Sequence, residues 1–234
     1  MSIDAALLRA AQEGGATLRL YRWDPPCLSF GRNESAMSRY DREAIRELGI
    51  DTVRRPTGGR AVWHDAEVTY AVAAPSHALG TLSQSYIVIH EMLATAMRRL
   101  NVPAVLAQRP SGRAPRPSAG ACFGSPAGGE IVVGDRKLIG SAQFRAGGAL
   151  LQHGSILLQD GQDLVSRVTR GERPPMLATS LETILERPVD FHEVARAVLR
   201  AAREHWPGVW REESVLPHIG SGDTFSDTDW TWRR

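Results

Sequence analysis

The sequence predicts an α+β fold in which a mixed, largely antiparallel β-sheet is flanked by helices. Strand-like and helical segments do not alternate regularly along the chain, as they would in a doubly wound parallel sheet. Three strand-like runs near 130–133, 136–145 and 149–158 are joined by short turns, which predicts an antiparallel meander. The longest amphipathic pattern, over 84–100, predicts a helix whose apolar stripe faces the core.

The N-terminal segment predicts one helix and two strands. Residues 3–13 carry apolar side chains on one helical face, and Gly14-Gly15 ends that helix. Thr17–Trp23 alternates as a strand does, and Asp24-Pro25-Pro26 turns the chain. Cys27–Phe30 is then expected to return as a second strand beside the first.

The remaining elements follow from the same periodicities and from capping-box patterns at Thr179–Glu182 and Asp190–Glu193. The whole chain, 1–234, is predicted to be a single domain with a mobile Arg/Pro-rich loop at about 109–120. The other predicted elements are a short helix at Asp41–Leu48, strands at Asp51–Arg55, Ala61–Trp63 and Val68–Ala74, and helices near 180–186 and 191–205.

Composition argues against several classes of protein. The formal net charge of +2 provides no strong field to gather nucleic acid, and no apolar stretch approaches the ~20 residues of a membrane span. The N-terminus lacks the pattern of a signal peptide. Cys27 and Cys122 make no disulfide framework, so we expect a cytoplasmic protein with free thiols. The scattered histidines show no metal-ligand spacing, so no metal site is predicted.

Lys137 is the single lysine of the chain, and every other basic side chain among its 28 Lys and Arg is arginine. Biased codon usage explains such a composition wherever a solvated positive charge is sufficient. Arginine cannot replace an amine that must lose its proton, because the guanidinium stays charged and planar. The strand-like context Arg136–Gln143 differs from a solvated charge run, so Lys137 is predicted to be catalytic, with survival by chance as the alternative.

The segment Arg54–Asp65 places paired glycines between two predicted strands. Glycines let the backbone approach a ligand closely, and exposed N–H groups beside arginines suit an anionic or carbonyl group. A Gly-Gly turn with solvated arginines is the alternative, and the spacing is neither a Walker loop nor a Rossmann fingerprint. The candidate binding residues of this segment are Arg55, Thr57, Gly58, Gly59, Arg60 and His64.

Two further segments carry reactive side chains. Cys122 lies before the turn Gly124-Ser125-Pro126 and is a candidate nucleophile if it is accessible and ionises readily. A small buried hydrophobic side chain is the alternative for this cysteine. His153-Gly154 lies inside an apolar strand, which indicates either a group set against a ligand or a satisfied core histidine.

Four segments in order resemble the motifs of one family, the biotin/lipoate protein ligase superfamily with its lipoate-protein ligase A and cysteine-dependent octanoyltransferase branch. Leu18–Trp23 with Leu28–Arg32 resembles the opening hairpin of that family. Arg54–His64 resembles its Arg-Arg-x-Thr-Gly-Gly signature. Arg136–Gln143 resembles its lysine-containing strand, and Leu151–Leu158 its Leu-Gln-His-Gly strand.

The resemblance implies a single catalytic domain with a mixed sheet flanked by helices. It implies an acyl chain in a tunnel beneath the Gly-Gly loop. The product is expected to be an amide on a lysine of a lipoyl carrier domain, such as the glycine-cleavage H protein or the E2 subunit of a 2-oxo acid dehydrogenase. Substrate-binding roles are implied for Gly140, Ser141, Gln143, His153 and Gly154.

Two chemistries exist on this scaffold. Cys122-Phe123, Pro126 and Glu130 resemble the transferases, in which a cysteine takes octanoyl from acyl carrier protein as a thioester and no cofactor is required. Lys137 is then expected to help deprotonate the thiol or the acceptor amine. The alternative is a lipoate-protein ligase that uses ATP and Mg and acts through a lipoyl-adenylate. The basic loop prompts a third class, a non-catalytic binder, although no nucleic-acid or membrane partner is expected.

Overall fold

The α+β class predicted from the sequence is confirmed by the structure, a computed structural model that describes residues 1–108, 128–171, 176–213 and 224–233. The strands are β1 (Thr17–Tyr21), β2 (Cys27–Phe30), β3 (Asp51–Arg54), β4 (Val62–His64), β5 (Glu67–Pro75), β6 (Val105–Leu106), β7 (Ile131–Val133), β8 (Arg136–Ala146) and β9 (Ala149–Leu157). The helices are α1 (Ser2–Gln12), α2 (Ala36–Arg39), α3 (Arg42–Glu47), α4 (Leu82–Arg99), α5 (Asp163–Arg167), α6 (Leu181–Leu185), α7 (Phe191–His205) and α8 (Thr228–Trp232).

The larger sheet has the strand order β1-β5-β9-β8-β7-β6, and each neighbouring pair is antiparallel. The predicted meander is confirmed as β7-β8-β9. Gly147 and Gly148 form the two-residue turn between β8 and β9, and both have positive φ, as a type I′ turn requires. All residues of β5 are buried because helices cover both faces of the sheet at this strand.

The two faces of the larger sheet carry separate apolar cores. On one face α4 packs with α7 over the sheet, and the predicted stripe of α4 is buried there apart from Leu100 at its end, which is partly buried. Helix α4 begins at a capping box between Thr81 and Gln84. On the other face α1 packs through its leucines and Ala11. This arrangement brings the first turn of α1 and the start of α4 to opposite sides of the central strands.

The smaller sheet has the order β3-β2-β4, with β2 parallel to β3 and antiparallel to β4. The predicted hairpin of β1 with β2 is therefore wrong, because β1 pairs with β5 in the larger sheet. The connection contains Pro25 and Pro26, which lack the N–H groups that a tight ladder needs. Phe30 packs with Tyr40 and Trp232 in the core of this smaller sheet.

Two predictions lie outside the described residues. Cys122 and the loop at about 109–120 both fall between 108 and 128. Within the described part of the chain, no helix is long and apolar enough to cross a membrane.

Candidate active site

A cavity of about 350 Å³ opens between the Gly-Gly loop, the start of α4 and strand β8. Its volume falls within the ~300–1,000 Å³ range of small-molecule pockets. One side, the loop wall, consists of Gly58 and Gly59, and another side, the strand wall, consists of Ser141–Gln143. A second, narrower cavity shares Ser141 and Ala142 with the first. It is also lined by Arg55, His64, His153 and Gly154, so the structure brings three predicted motifs together.

Arg55 holds the loop wall in shape. Its buried guanidinium donates to the Ser29 carbonyl (2.8 Å) and hydroxyl (2.6 Å), and to the carbonyls of Gly58 (3.2 Å) and Arg60 (2.8 Å). A planar fork with several fixed donors can join these four oxygens, which a lysine could not do. These contacts give the predicted binding residue Arg55 a structural role in forming the loop. Arg60 is partly exposed and its Nη1 lies 4.0 Å from Glu34 Oε1.

Arg54 is a supporting residue that the sequence reasoning missed. It is fully buried and donates to carbonyls of the 31–34 turn and of the C-terminal helix α8. Burial, followed by the charge of Arg233, lowers the pKa of Arg54 to about 10. Gly31 supports the same loop from below, because a Cβ at this position would lie 1.9 Å from the Gly59 carbonyl oxygen. In the sequence, the paired arginines before the glycines were the pattern from which this supporting role could have been predicted.

His153 connects the loop wall to helix α1. Its Nδ1–H donates to Asp4 Oδ2 (2.9 Å), and its Nε2 accepts from the Thr57 hydroxyl (2.7 Å). Burial lowers the pKa of His153, with the Asp4 carboxylate acting in the opposite direction. Burial alone would raise the pKa of Asp4, but the hydrogen bond and charge of His153, together with Arg19, lower it to about 2. Asp4, Arg19 and Tyr21, whose hydroxyl also donates to Asp4, were not predicted.

His64 forms a parallel arrangement on the smaller sheet. The Ser29 hydroxyl accepts from Arg55 and also lies 2.6 Å from His64 Nε2. The His64 Nδ1–H donates to Glu67 Oε1 (2.8 Å), which also accepts from the Thr69 and Ser155 hydroxyls. The indole of Trp23 stacks on the His64 ring. Glu67 was not predicted, although it follows His64 by three residues.

Gly154 allows strands β8 and β9 to approach each other. A Cβ at this position would lie 2.2 Å from the Gly140 carbonyl oxygen and 2.8 Å from both Ser141 Oγ and the Tyr70 ring. The sequence reasoning attributed this glycine to a ligand. The structure gives it a second reason, because only hydrogen fits between the two strands here.

The strand wall is supported by neutral side chains. Ser141 Oγ accepts from the Tyr70 hydroxyl (2.7 Å) and lies 2.8 Å from Nε2 of His90, which belongs to α4. Gln143 Nε2 donates to Gln152 Oε1 at 3.0 Å. His90 was interpreted from the sequence as a structural or surface histidine, and its contact with the strand wall was missed.

Lys137 lies near the start of β8, four residues before Ser141, and is 1% exposed. Its Nζ donates to Glu130 Oε1 at 2.6 Å. A neighbouring carboxylate favours the charged ammonium, so this geometry supports a fixed cation more directly than the predicted proton acceptor. The same charge helps to lower the pKa of the nearby His90, although burial is the larger cause.

No group of three or more His, Cys, Asp and Glu side chains that could hold a metal ion occurs among the described residues. The carboxylates near the cavity instead accept from histidine, arginine, lysine or hydroxyl donors. The groups that line the two cavities include the backbone of Gly58 and Gly59, the Ser141 hydroxyl and the Gln143 carboxamide.

Comparison with known proteins identifies the family. Residues 1–203 match the lipoyl protein ligase A/B catalytic domain. The chain belongs to this family. Among its relatives are the proteins named octanoyltransferase LipM of Moorella thermoacetica, 40% identical over 100% of this chain and 93% of the relative, and of Kyrpidia tusciae, 42% identical over 87% and 77%.

Solved structures of family members share the fold. A lipoate-protein ligase A bound with ATP superimposes with a TM-score of 0.75 at 24% identity, covering 92% of this chain and 83% of its own. The bi-partite lipoate protein ligase of Thermoplasma acidophilum gives a TM-score of 0.77 at 22% identity, covering 99% and 89%. At this identity the similarity establishes the architecture and leaves the chemistry to the site itself.

Proposed function

We propose that this protein is an octanoyltransferase of protein lipoylation. The observation that carries the proposal is the 40% and 42% identity, over most of the chain, to relatives named octanoyltransferase LipM. An acyltransferase of this kind acts on lipoyl carrier proteins. We propose acyl carrier protein as the octanoyl donor and a lipoyl domain, of a glycine-cleavage H protein or a 2-oxo acid dehydrogenase E2 subunit, as the acceptor.

The proposed nucleophile is Cys122, although it lies outside the described residues. The other cysteine, Cys27, is unsuited to the role because burial, followed by the charge of Asp51, raises its pKa to about 12. In the first step the Cys122 thiolate attacks the octanoyl thioester and the thiol of the carrier leaves. In the second step the lysine amine attacks the enzyme thioester, the C–S bond breaks, and the nitrogen's surplus proton passes to the departing thiolate.

Lys137 is proposed to stabilise negative charge on the carbonyl oxygen as each step proceeds. Its ion pair with Glu130 keeps a cation in a buried position, where electrostatic stabilisation is stronger than in water. Gly58 and Gly59 line the larger cavity, and their backbone N–H groups are proposed as further donors to that oxygen. The predicted proton-accepting role of Lys137 requires its neutral form, which the Glu130 contact disfavours.

Chain-length selectivity follows from burial of the acyl group. Seven carbons beyond the carbonyl, at about 0.8 kcal/mol each, contribute roughly 5 kcal/mol when they leave water. The residues proposed to bind this group are His64, Gly140, His153 and Gly154, which line the second cavity, and Thr57, whose hydroxyl contacts His153. We also propose a cytoplasmic location, since two cysteines without a disulfide framework suit a reducing compartment.

The proposal is tested with octanoyl acyl carrier protein and a purified lipoyl domain in the absence of ATP. Intact-mass spectrometry is expected to show one octanoyl group on the enzyme, followed by its appearance on the lipoyl domain. Cys122→Ala should abolish both products, while the matched variant Cys27→Ala should form the acyl-enzyme. Modification that proceeds only with ATP, Mg and free acid would instead establish a lipoate-protein ligase.

A further inference from the structure

The direction of each hydrogen bond around His90 is determined by its neighbours. Nδ1 lies 2.6 Å from the carbonyl oxygen of Gly129, which can only accept, so Nδ1 carries a hydrogen. Burial, with a smaller contribution from the charge of Lys137, lowers the pKa of His90 to about 4, so the ring is neutral at physiological pH. Nε2 therefore has no hydrogen and accepts from the Ser141 hydroxyl.

The other end of the network is determined in the same way. The Ser85 hydroxyl donates to the Thr81 carbonyl (3.0 Å), so it accepts from Gln143 Nε2 (2.9 Å). Gln143 Nε2 also donates to Gln152 Oε1, and Gln152 Nε2 donates to the Tyr70 hydroxyl (3.0 Å). Tyr70 must then donate to Ser141 Oγ. Both Gln143 and Ser141 are held with one defined orientation.

This orientation leaves two hydrogen-bond acceptors at the strand wall. Ser141 donates one hydrogen bond to His90 and accepts one from Tyr70, so one lone pair of its oxygen remains. Gln143 Oε1 is buried and has no hydrogen-bond partner among the described residues. A buried acceptor without a donor is unfavourable, and a ligand that supplies N–H groups would remove that cost. The carbonyl oxygen of an acyl group has no hydrogen to donate and does not match this wall.

We propose that Ser141 and Gln143 receive the two N–H groups of the acyl-accepting lysine amine, and that His90 is a positioning residue acting through Ser141. The inference rests on the proposed function. A neutral amine has two hydrogens and one lone pair. Two hydrogen bonds to the strand wall direct the lone pair away from it, toward the thioester carbon, and thereby place the nitrogen for attack.

The two acceptors are suitably spaced for one nitrogen. Ser141 and Gln143 are two residues apart on β8, so their side chains share one face of the strand with Cα atoms roughly 6.5–7 Å apart. Hydrogen bonds of about 2.9 Å from one nitrogen reach both oxygens if the side chains lean slightly toward each other. Without His90 Nε2 as an acceptor, the Ser141 hydroxyl could donate its hydrogen into the cavity. It would then no longer act as an acceptor for the N–H of an amine.

The test compares two half-reactions in His90→Phe and Ser141→Ala. Phenylalanine keeps the ring beside Tyr86 but removes both nitrogens. Acylation by octanoyl acyl carrier protein should stay within about threefold of wild type. Single-turnover transfer from the acyl-enzyme to the lipoyl domain should fall about 10- to 100-fold in its limiting rate, with the half-saturating concentration of lipoyl domain unchanged. His77→Phe, the same change at an exposed histidine, is the matched control.

The double variant separates positioning from a general structural effect. If His90 acts through Ser141, His90→Phe in the Ser141→Ala background should slow transfer no further. Losses that multiply would show that His90 acts independently and would overturn the inference. Slowed acylation with normal transfer would also overturn it, because the acceptors would then bind an amide of the donor's carrier arm.

Failure of this inference can be distinguished from failure of the proposed function. Wild-type protein that forms no acyl-enzyme would remove the proposed function itself. If the wild-type protein and both variants transfer octanoyl at the same limiting rate, only the proposed role of Ser141 and Gln143 as acceptors is excluded. If His90→Phe does not fold in a thermal melt, Ser141→Ala removes a single hydroxyl and tests the same step alone.

Discussion

The two walls of the cavity are supported in different ways. The loop wall depends on charged groups, since Arg55 holds its carbonyls and His153 pairs with the Asp4 carboxylate. At the strand wall, Ser141 is held by a chain of neutral groups that ends at His90 and a backbone carbonyl. A carboxylate offsets part of the cost of charging a buried histidine, and a single carbonyl offsets less of it. Burial lowers the pKa of both histidines, and at the loop wall the Asp4 carboxylate opposes that effect.

The largest expected effect is that of Lys137→Arg, which tests the buried ion pair between Lys137 on β8 and Glu130. The lysine is almost completely buried against Glu130, and the longer planar guanidinium does not fit an ammonium-shaped site. Octanoyl transfer should fall about 10²- to 10³-fold, as measured by single-turnover kinetics with a thermal melt to check folding. Arg136→Lys, on the exposed neighbour, is the matched control. Retention of more than about a tenth of the wild-type rate would mean that any buried cation suffices.

A difference in pH dependence should distinguish the two walls, beginning with His90. Its folded pKa of about 4 lies below its ordinary value of 6.5, so the unfolded chain binds a proton between these values and the folded protein does not. The stabilisation is complete above pH 6.5 and is lost as the pH falls toward 4, by about 3 kcal/mol. The free energy of unfolding, measured with urea at each pH, should fall by about 3 kcal/mol less for His90→Phe than for the wild type between pH 6.5 and 4. Identical slopes would contradict a neutral buried ring.

The Asp4 carboxylate should affect the stability of the protein at a more acidic pH than His90 does. Its pKa of about 2 in the folded protein lies below the ordinary value of 3.8, so the unfolded chain is protonated first as the pH falls. The stabilisation is complete above about pH 4 and is lost toward pH 2, by about 2 kcal/mol. Asp4→Asn should remove the loss of stability below pH 4 while leaving the loss of stability between pH 6.5 and 4 largely unchanged. Equal slopes in variant and wild type below pH 4 would argue against the ionised carboxylate at the loop wall.

The last expected effect concerns Gly154, where β8 and β9 approach each other closely. An added Cβ would lie 2.2 Å from the Gly140 carbonyl, so Gly154→Ala must push the strands apart. We expect a loss of about 1–3 kcal/mol in the free energy of unfolding, measured by urea denaturation. Gly15→Ala, where the nearest atom is 3.6 Å away, is the control and should be nearly silent. A stable Gly154→Ala variant would show that the strand wall tolerates movement.

Most helices and strands could be predicted because their signals are local. The stripe of α4 and the meander of β7, β8 and β9 depend on side chains that recur every few residues, and both predictions are confirmed. The partner of β1 could not be predicted in this way. Proximity in the chain favoured Cys27–Phe30, whereas the register joins Thr17 to Ala73, which follows α2, α3 and all three strands of the smaller sheet.

The supporting residues of the site were missed for the same reason. His90 fits a helical pattern and has no local feature that separates it from a core residue, since its partner Ser141 is 51 positions away. Asp4 lies 149 positions from His153. Lys137 was found because composition, rather than spacing, made it exceptional.

The sequence by itself determined the family, the α+β class and the segments proposed to carry the chemistry, because each of these depends on residue type and short-range order. Only the tertiary structure decided which hydrogen-bonding group each side chain meets. That choice assigned Arg55 to holding the loop, paired Lys137 with Glu130, and made Ser141 an acceptor for the Tyr70 hydroxyl. A hydrogen bond depends on distances of about 3 Å between atoms, and only folding brings residues distant in the chain that close.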